Sequence, residues 1–200
     1  MKFRELNLTG IKMNEIQNCG LPAVKLSKKL YNKEVRILKK EVKTSFTLLQ
    51  NGTISLFWRP EIFEKYLKSL KEEGLDLCFF DCAKWTSEEE FHQDVASKLQ
   101  FPSHYGKNLD AFNDCLAGCI PESEGLVLAF QNYDVFNAKF AEMGTAILDI
   151  IHRNSWGFLL LGKKLIALVQ SNDPTIRLDS IGRMPAVWNP EEKSNKSRNI

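Results

Sequence analysis

Asp110 and Asp114 stand four residues apart inside the run Phe101-Pro102-Ser103-His104-Tyr105-Gly106-Lys107-Asn108-Leu109-Asp110-Ala111-Phe112-Asn113-Asp114-Cys115-Leu116. On a helix this spacing puts both carboxylates on one face, with Cβ atoms ~6 Å apart. Two anions so placed resemble two phosphates in spacing and sign, and suit cationic side chains that ordinarily hold phosphate. An ordinary capped helix with two solvated aspartates is the competing reading. Like charges at i,i+4 cost a helix only ~0.2–0.5 kcal/mol, so the pair by itself does not choose between the two.

Other chemistry is thinner. His92, His104 and His152 are the three histidines. His92 follows Phe91 on a capped helix and is expected half-exposed at the surface. His152 near a helix end favours the dipole there. A Cys115–His104 pair would be the one route to a nucleophile, and no Gly-x-Ser-x-Gly, phosphate-loop or dinucleotide fingerprint accompanies it. The chain is therefore read as a non-enzyme. Cys78/Cys82 and Cys115/Cys119 share a four-residue spacing. The first pair lies in a strand-like run, where residues four apart are ~13 Å apart. The second lacks the two further ligands that zinc needs. Small core residues are the better reading, with no metal and no cofactor.

The elements that must position the aspartates follow from pattern. Asn108 is a good N-cap, Asp110 falls in the first turn where the macrodipole favours an anion, and Leu109, Phe112 and Leu116 supply a buried stripe. A helix is thus expected from about Asn108 to Ala117, stopping at Gly118. His104, Tyr105 and Gly106 form the loop before it. Upstream, Leu75 to Cys82 reads as a strand covered on both faces. Thr86-Ser87, with Glu89 or Glu90 three residues on, offers a capping box for a helix with Phe91, Val95 and Leu99 on one stripe, ended by Pro102. Downstream come a strand at Gly125–Phe130, one longer helix with Phe136, Phe140, Met143, Ile147, Ile150 and Ile151 inside, and a strand at Leu165–Val169. Strands separated by helices predict a parallel sheet. Before all this, Phe46–Gln50 and Ile54–Trp58 flank Asn51-Gly52, a hairpin signal. Pro60 then opens a helix that Gly74 stops.

Charge divides the 200 residues unevenly. Residues 1–73 carry a net +7, residues 74–172 a net −6 and residues 173–200 a net +1, within an overall +2. The acidic block attracts a basic partner and repels nucleic acid. The dense lysines from Lys25 to Lys43 are read as the edge of an accessory β-rich region, so direct nucleic-acid binding is not expected. With 44% hydrophobic and 26% charged residues, the chain resembles ordinary globular proteins. No apolar run reaches the ~18 residues of a membrane span, and no secretory h-region follows Met1. A cytoplasmic protein without a membrane is expected. Three parts are expected: a basic N-terminal accessory region with a hairpin and a helix (1–73), an α/β domain (74–172), and an irregular tail (173–200) whose end is polar enough to be disordered.

Pro102, Tyr105-Gly106, Asn108-Leu109-Asp110-Ala111, Asp114, Leu116 and Gly118 together resemble the signature of the barstar family, whose founding member inhibits a secreted ribonuclease. The resemblance covers roughly residues 74–172. It implies a three-stranded parallel sheet packed by helices, in the order strand, helix, loop, helix, strand, helix, strand. It also implies an immunity-type inhibitor whose loop and helix plug the active site of a ribonuclease or ribonuclease-like toxin. Asp114 would be the central anchor and Asp110 the second carboxylate. Asn108, Gly106 and Tyr105 would shape the loop, with His104, Asn113 and Gly118 in the same contact region. This sequence departs from the pattern: His104 replaces a stacking tyrosine, Asn113 and Cys119 replace tryptophans, and Arg153 falls near a contacting glutamate. Those changes imply a different target, and leave open an interaction module with a non-nuclease partner.

Overall fold

Continuous apolar runs build the sheet. The computed structural model describes residues 42–178, 181–182 and 186–200. Its strands are β1 (Ile54–Phe57), β2 (Asp76–Asp81), β3 (Gly125–Gln131), β4 (Lys164–Gln170) and β5 (Val187–Trp188). They lie in the order β2-β3-β4-β1-β5, and every pair is parallel. The α/β class and the parallel sheet are as expected, but the sheet has five strands rather than three. The helices are α1 (Thr44–Leu49), α2 (Pro60–Glu72), α3 (Glu88–Lys98), α4 (Leu109–Gly118), α5 (Tyr133–Lys139) and α6 (Ala141–Leu160).

Both faces of the sheet are covered, which is why β1, β3 and β4 are buried nearly throughout. Phe80, Leu128, Phe130, Ala167 and Val169 point to one face, where they meet Phe91 and Val95 of α3, Phe112 and Leu116 of α4, Phe136 of α5 and Ile147 and Ile151 of α6. Trp85 fills the space between Phe80, Phe91 and Phe136, with ring centroids 5.8, 5.1 and 5.2 Å away. Val127, Ala129, Ile166 and Leu168 point to the other face and meet Leu48 of α1 and Ile62, Phe63, Tyr66 and Leu70 of α2.

The expected hairpin at 46–58 is replaced by a helix, a turn and a parallel strand. Ser45 and Leu48, three residues apart, are the buried positions of α1. The Glu73 carboxylate accepts from the Thr44 N–H and, at 3.2 Å, from the Ser45 N–H, so it caps the helix from 28 residues away. Gly52 has φ +111° and serves the helix-to-strand turn, a conformation open to glycine. β1 then runs beside β4, with Ile54 opposite Ala167 and Phe57 opposite Gln170. Residues 54–57 therefore share a sheet with the 74–172 region, and there is no break in packing at residue 73. Val42–Ile200 forms one compact unit. The lysines from Lys25 to Lys40 lie outside the described residues.

The C-terminal segment, expected to be irregular, is partly ordered against β1. β5 pairs with Ser55 and Leu56, and Asn189 N–H donates to Leu56 O at 2.9 Å. Glu192 is fully buried and accepts from the backbone N–H groups of Trp58 (3.1 Å) and Arg59 (2.8 Å). Arg198 donates to Glu192 O at 2.6 Å and lies over the Trp188 ring at 4.4 Å. The long helix expected through Phe136–Ile151 is two helices. Phe140, at φ −133° and ψ 55°, ends α5 and precedes α6.

Candidate functional site

The Asn108 side chain accepts from Ala111 N–H at 2.8 Å and starts α4 where the sequence places it. Phe112 and Leu116 are buried and Leu109 is half-buried against the same core. This stripe fixes the rotation of the helix and turns Asp110 and Asp114 outward, where both are exposed. Among the described residues neither carboxylate forms a salt bridge. Asp114 accepts one hydrogen bond, from Asn113 Nδ2 at 3.3 Å. Asn113 in turn accepts at Oδ1 from Asn154 Nδ2 at 3.1 Å, tying α4 to α6.

The loop before α4 is braced at two points on α3. Tyr105 Oη and His92 Nδ1 are 2.5 Å apart, and Lys107 Nζ lies 3.3 Å from Glu89 Oε1. Tyr105 also packs edge-on to Phe101, centroids 4.9 Å apart, and its N–H donates to Pro102 O at 2.9 Å. Burial pushes the Tyr105 phenol up and holds the His92 imidazole down, so both are uncharged near neutrality. His92 is 4% exposed, a correction to its expected surface position. The Lys107 ammonium and Gln93 amide hold the Glu89 carboxyl below its usual range.

Lys107 takes the left-handed conformation at φ +48°, whereas Gly106 does not. A Cβ on Gly106 would meet Ala111 Cβ and Asn108 Nδ2 at 3.4 Å, ordinary contact, so the fold itself does not demand glycine there. His104 is exposed on the same loop and Gly118 is exposed in the last turn of α4. His104, Gly106 and Asn108 on the loop and Asp110 and Asp114 on α4 are exposed, while Tyr105 and Asn113 are half-buried. His92 is the supporting residue that sequence reasoning missed. Its signal was its place one residue after the buried Phe91.

The described cysteines are buried or half-buried, whereas the two carboxylates are exposed. Burial pushes the thiols of Cys78, Cys82 and Cys119 up, Cys78 to about 12, which leaves them poor nucleophiles. Cys119 Sγ lies 3.3 Å from Cys115 O, as a helix-end thiol does. Among the described residues no group of three or more His, Cys, Asp or Glu is placed to hold a metal. No described helix is long and apolar enough to cross a membrane. Arg153 is exposed and paired with Asp149 at 3.0 Å, one turn back on α6.

Comparison with known proteins falls on the same region. The family described as Barstar (barnase inhibitor) matches residues 75–163. A protein of Bacillus subtilis (strain 168) with the printed name "Putative ribonuclease inhibitor YrdF" is 36% identical over 63 residues, which are 32% of this chain and 67% of that protein.

Proposed function

We infer that this chain, which belongs to the barstar family, is a protein inhibitor that blocks the active site of a basic ribonuclease or ribonuclease-like toxin. The observation that carries the reading is the pair Asp110 and Asp114, outward-facing carboxylates with no cation partner among the described residues. Nearby charges such as Lys107 and Arg153 are already paired. An active site that binds RNA holds cationic side chains for phosphate, and these two carboxylates meet them in place of phosphate. Asp114 is the anchor and Asp110 the second contact. Tyr105, Gly106 and Asn108 hold the loop so that the backbone at Gly106 approaches the enzyme closely. The net −6 of residues 74–172 speeds encounter with a basic target. Such an inhibitor serves as an immunity protein in the cytoplasm.

The target is not a copy of the founding one. His104 presents an imidazole where the family stacks a phenol ring, and Asn113 spends its amide on Asp114 and Asn154. Arg153 is neutralised by Asp149 rather than bare, so it redirects the contact without reversing the sign of the surface. The same departures favour the second reading, an interaction module whose partner is not a nuclease.

The test is Asp114→Ala against the parent chain, with co-purification from the native cell and RNA cleavage by the partner after it is released from the complex. A desolvated charge pair broken on one side costs about 2–5 kcal/mol, and each 1.4 kcal/mol is tenfold in affinity. Retention of a ribonuclease by the parent and its loss with Asp114→Ala is the expected result. A partner held equally by both refutes the anchor, and a partner without ribonuclease activity favours the module.

A further inference from the structure

The sheet ends on two unlike edges. β5 is two residues long. β2, at the other end of the order, is six residues long and matches β3 residue for residue from Asp76 to Asp81, without a bulge. A strand bonded on one side only turns alternate N–H and C=O groups outward. Among the described residues, no backbone group of residues 76–80 has a hydrogen-bond partner outside β3. Proline, a bulge or brevity commonly protects such an edge, and β2 has none of the three. Charge is confined to its ends, and Leu77-Cys78-Phe79-Phe80 between them is uncharged.

The side chains along this edge are the second, independent observation. Phe79 is 44% exposed on the face that α2 covers, its ring 6.5 Å from Phe63. Leu77, two residues back on the same face, is half-buried. Asp76, Cys78 and Phe80 share the other face. Asp76 is exposed, accepts from Ser123 Oγ at 2.9 Å, and has no ion-pair partner among the described residues. The Lys98 ammonium of α3 lies 5.0 Å from the centre of the Phe80 ring. Asp76 and Phe80 stand four residues apart, ~13 Å along the strand, so Lys98 does not serve the Asp76 of its own chain.

We propose that β2 pairs antiparallel with β2 of a second copy about a two-fold axis at Cys78, extending the sheet from five strands to ten. In that register Leu77 stands opposite Phe79 of the second copy, twice, and Asp76 opposite Phe80, twice. Directly opposed residues have Cβ atoms ~4.5–5.5 Å apart. Each Asp76 carboxylate therefore meets the Lys98 ammonium that lies over the opposing Phe80. That ammonium keeps Asp94, at 2.9 Å, as its partner on α3, and its three donors serve both. A two-fold contact must be self-complementary, and an anion and a cation equally far on either side of the axis meet that condition. Neighbouring registers do not. An axis at Phe79 sets Asp81 against Leu77 and Asp76 against Cys82, and an axis at Leu77 sets Asp76 against Cys78. Five residue pairs make a small contact of the kind that forms and dissolves readily, so the dimer grows in with concentration. The proposal goes beyond the inhibitor reading and does not rest on it.

The experiment is sedimentation equilibrium of the full chain from about 1 to about 500 μM, beside Phe79→Lys and Asp76→Lys. The parent mass should rise from 22.9 kDa toward twice that value, and each variant should associate at least tenfold more weakly. Both side chains are exposed, so an unchanged thermal melt certifies each variant. The register is read separately. Leu77→Cys and Phe79→Cys chains, mixed and mildly oxidised, should form a 77–79 disulfide between chains, identified by peptide mapping, which neither chain forms alone. A parent that stays at 22.9 kDa throughout, association that either lysine variant leaves unchanged, or a 79–79 link in Phe79→Cys alone at the yield of the mixture overturns the proposal.

Discussion

Replacing Glu192 by alanine removes a fully buried carboxylate and leaves its donors in place. Oε1 accepts from Arg59 N–H at 2.8 Å and from Arg59 Nε at 3.3 Å, while Oε2 accepts from Trp58 N–H at 3.1 Å and from Asn189 Nδ2. The guanidinium of Arg59 is 43% exposed and finds water, so it adds little to the loss. The two backbone donors and the buried Asn189 amide do not. Each hydrogen bond to a charged group contributes ~1.5–3 kcal/mol, and one-sided removal of a buried pair costs ~3–5 kcal/mol in all. For a domain of this size each kcal/mol moves the midpoint by ~2–4 °C. Urea unfolding and thermal melts of Glu192→Ala should therefore show a loss of ~3–5 kcal/mol and roughly 6–20 °C. Hydrogen exchange at Asn189 N–H, bonded to Leu56 O, should accelerate first. Glu191→Ala is the control. Glu191 pairs with Lys65 at 2.6 Å where both are substantially exposed, and such a pair contributes ~0–1 kcal/mol. Equal losses for the two variants, or a loss for Glu192→Ala below ~1 kcal/mol, would falsify the assignment of Glu192 as the clamp on β5.

Three further outcomes are expected. Asn108→Ala removes the cap on α4 and should cost ~0.5–2 kcal/mol, read by urea unfolding; under the proposed inhibitor function, binding of the partner should weaken as well because the loop loses its register. Gly125→Ala puts a Cβ 2.3 Å from the Lys164 backbone oxygen, so β3 and β4 must part at that end; a loss of ~1–3 kcal/mol follows, and a neutral melt would contradict the packing. His92 is held below its ordinary 6.5 by burial, so the unfolded chain binds that proton more readily. Its contribution to stability is present above pH 6.5 and lost as pH falls through that value toward the folded-state one. The urea midpoint between pH 7 and 5 should fall less steeply in His92→Gln than in the parent.

The parts of the fold that repeat one chemical signal along the chain were legible. Apolar runs bounded by Gly74, Asp81, Gly125 and Gly162 gave β2, β3 and β4 to within a residue or two. Of the two capping boxes the spacing allows, Ser87–Glu90 forms, and Asn108 caps α4. What was not legible depends on partners far away in sequence. Phe46–Gln50 is too short for periodicity to separate strand from helix, and Glu73 decides the matter by capping Thr44 and Ser45. β5 is two residues long and exists because Leu56 and Glu192 hold it. The burial of His92 comes from Tyr105, thirteen residues on, folding over it. At the site, side-chain types and helix phase were readable. The bracing of the loop and the pairing of Arg153 needed three dimensions.

The second face of the sheet separates the matched span from the foldable one. The family match ends at residue 163, and β4 begins at Lys164. A fragment trimmed to the matched residues would keep the acidic helix and its loop. It would lose the central strand, along with α1 and α2 and their apolar cover over Val127 and Ala129. What remains is a two-stranded ribbon with one greasy side and an open edge, a template for aggregation rather than an inhibitor. The matched stretch is therefore shorter than the stretch that can hold a shape. A minimal, portable version of the site must carry the flanks that lie outside the matched residues.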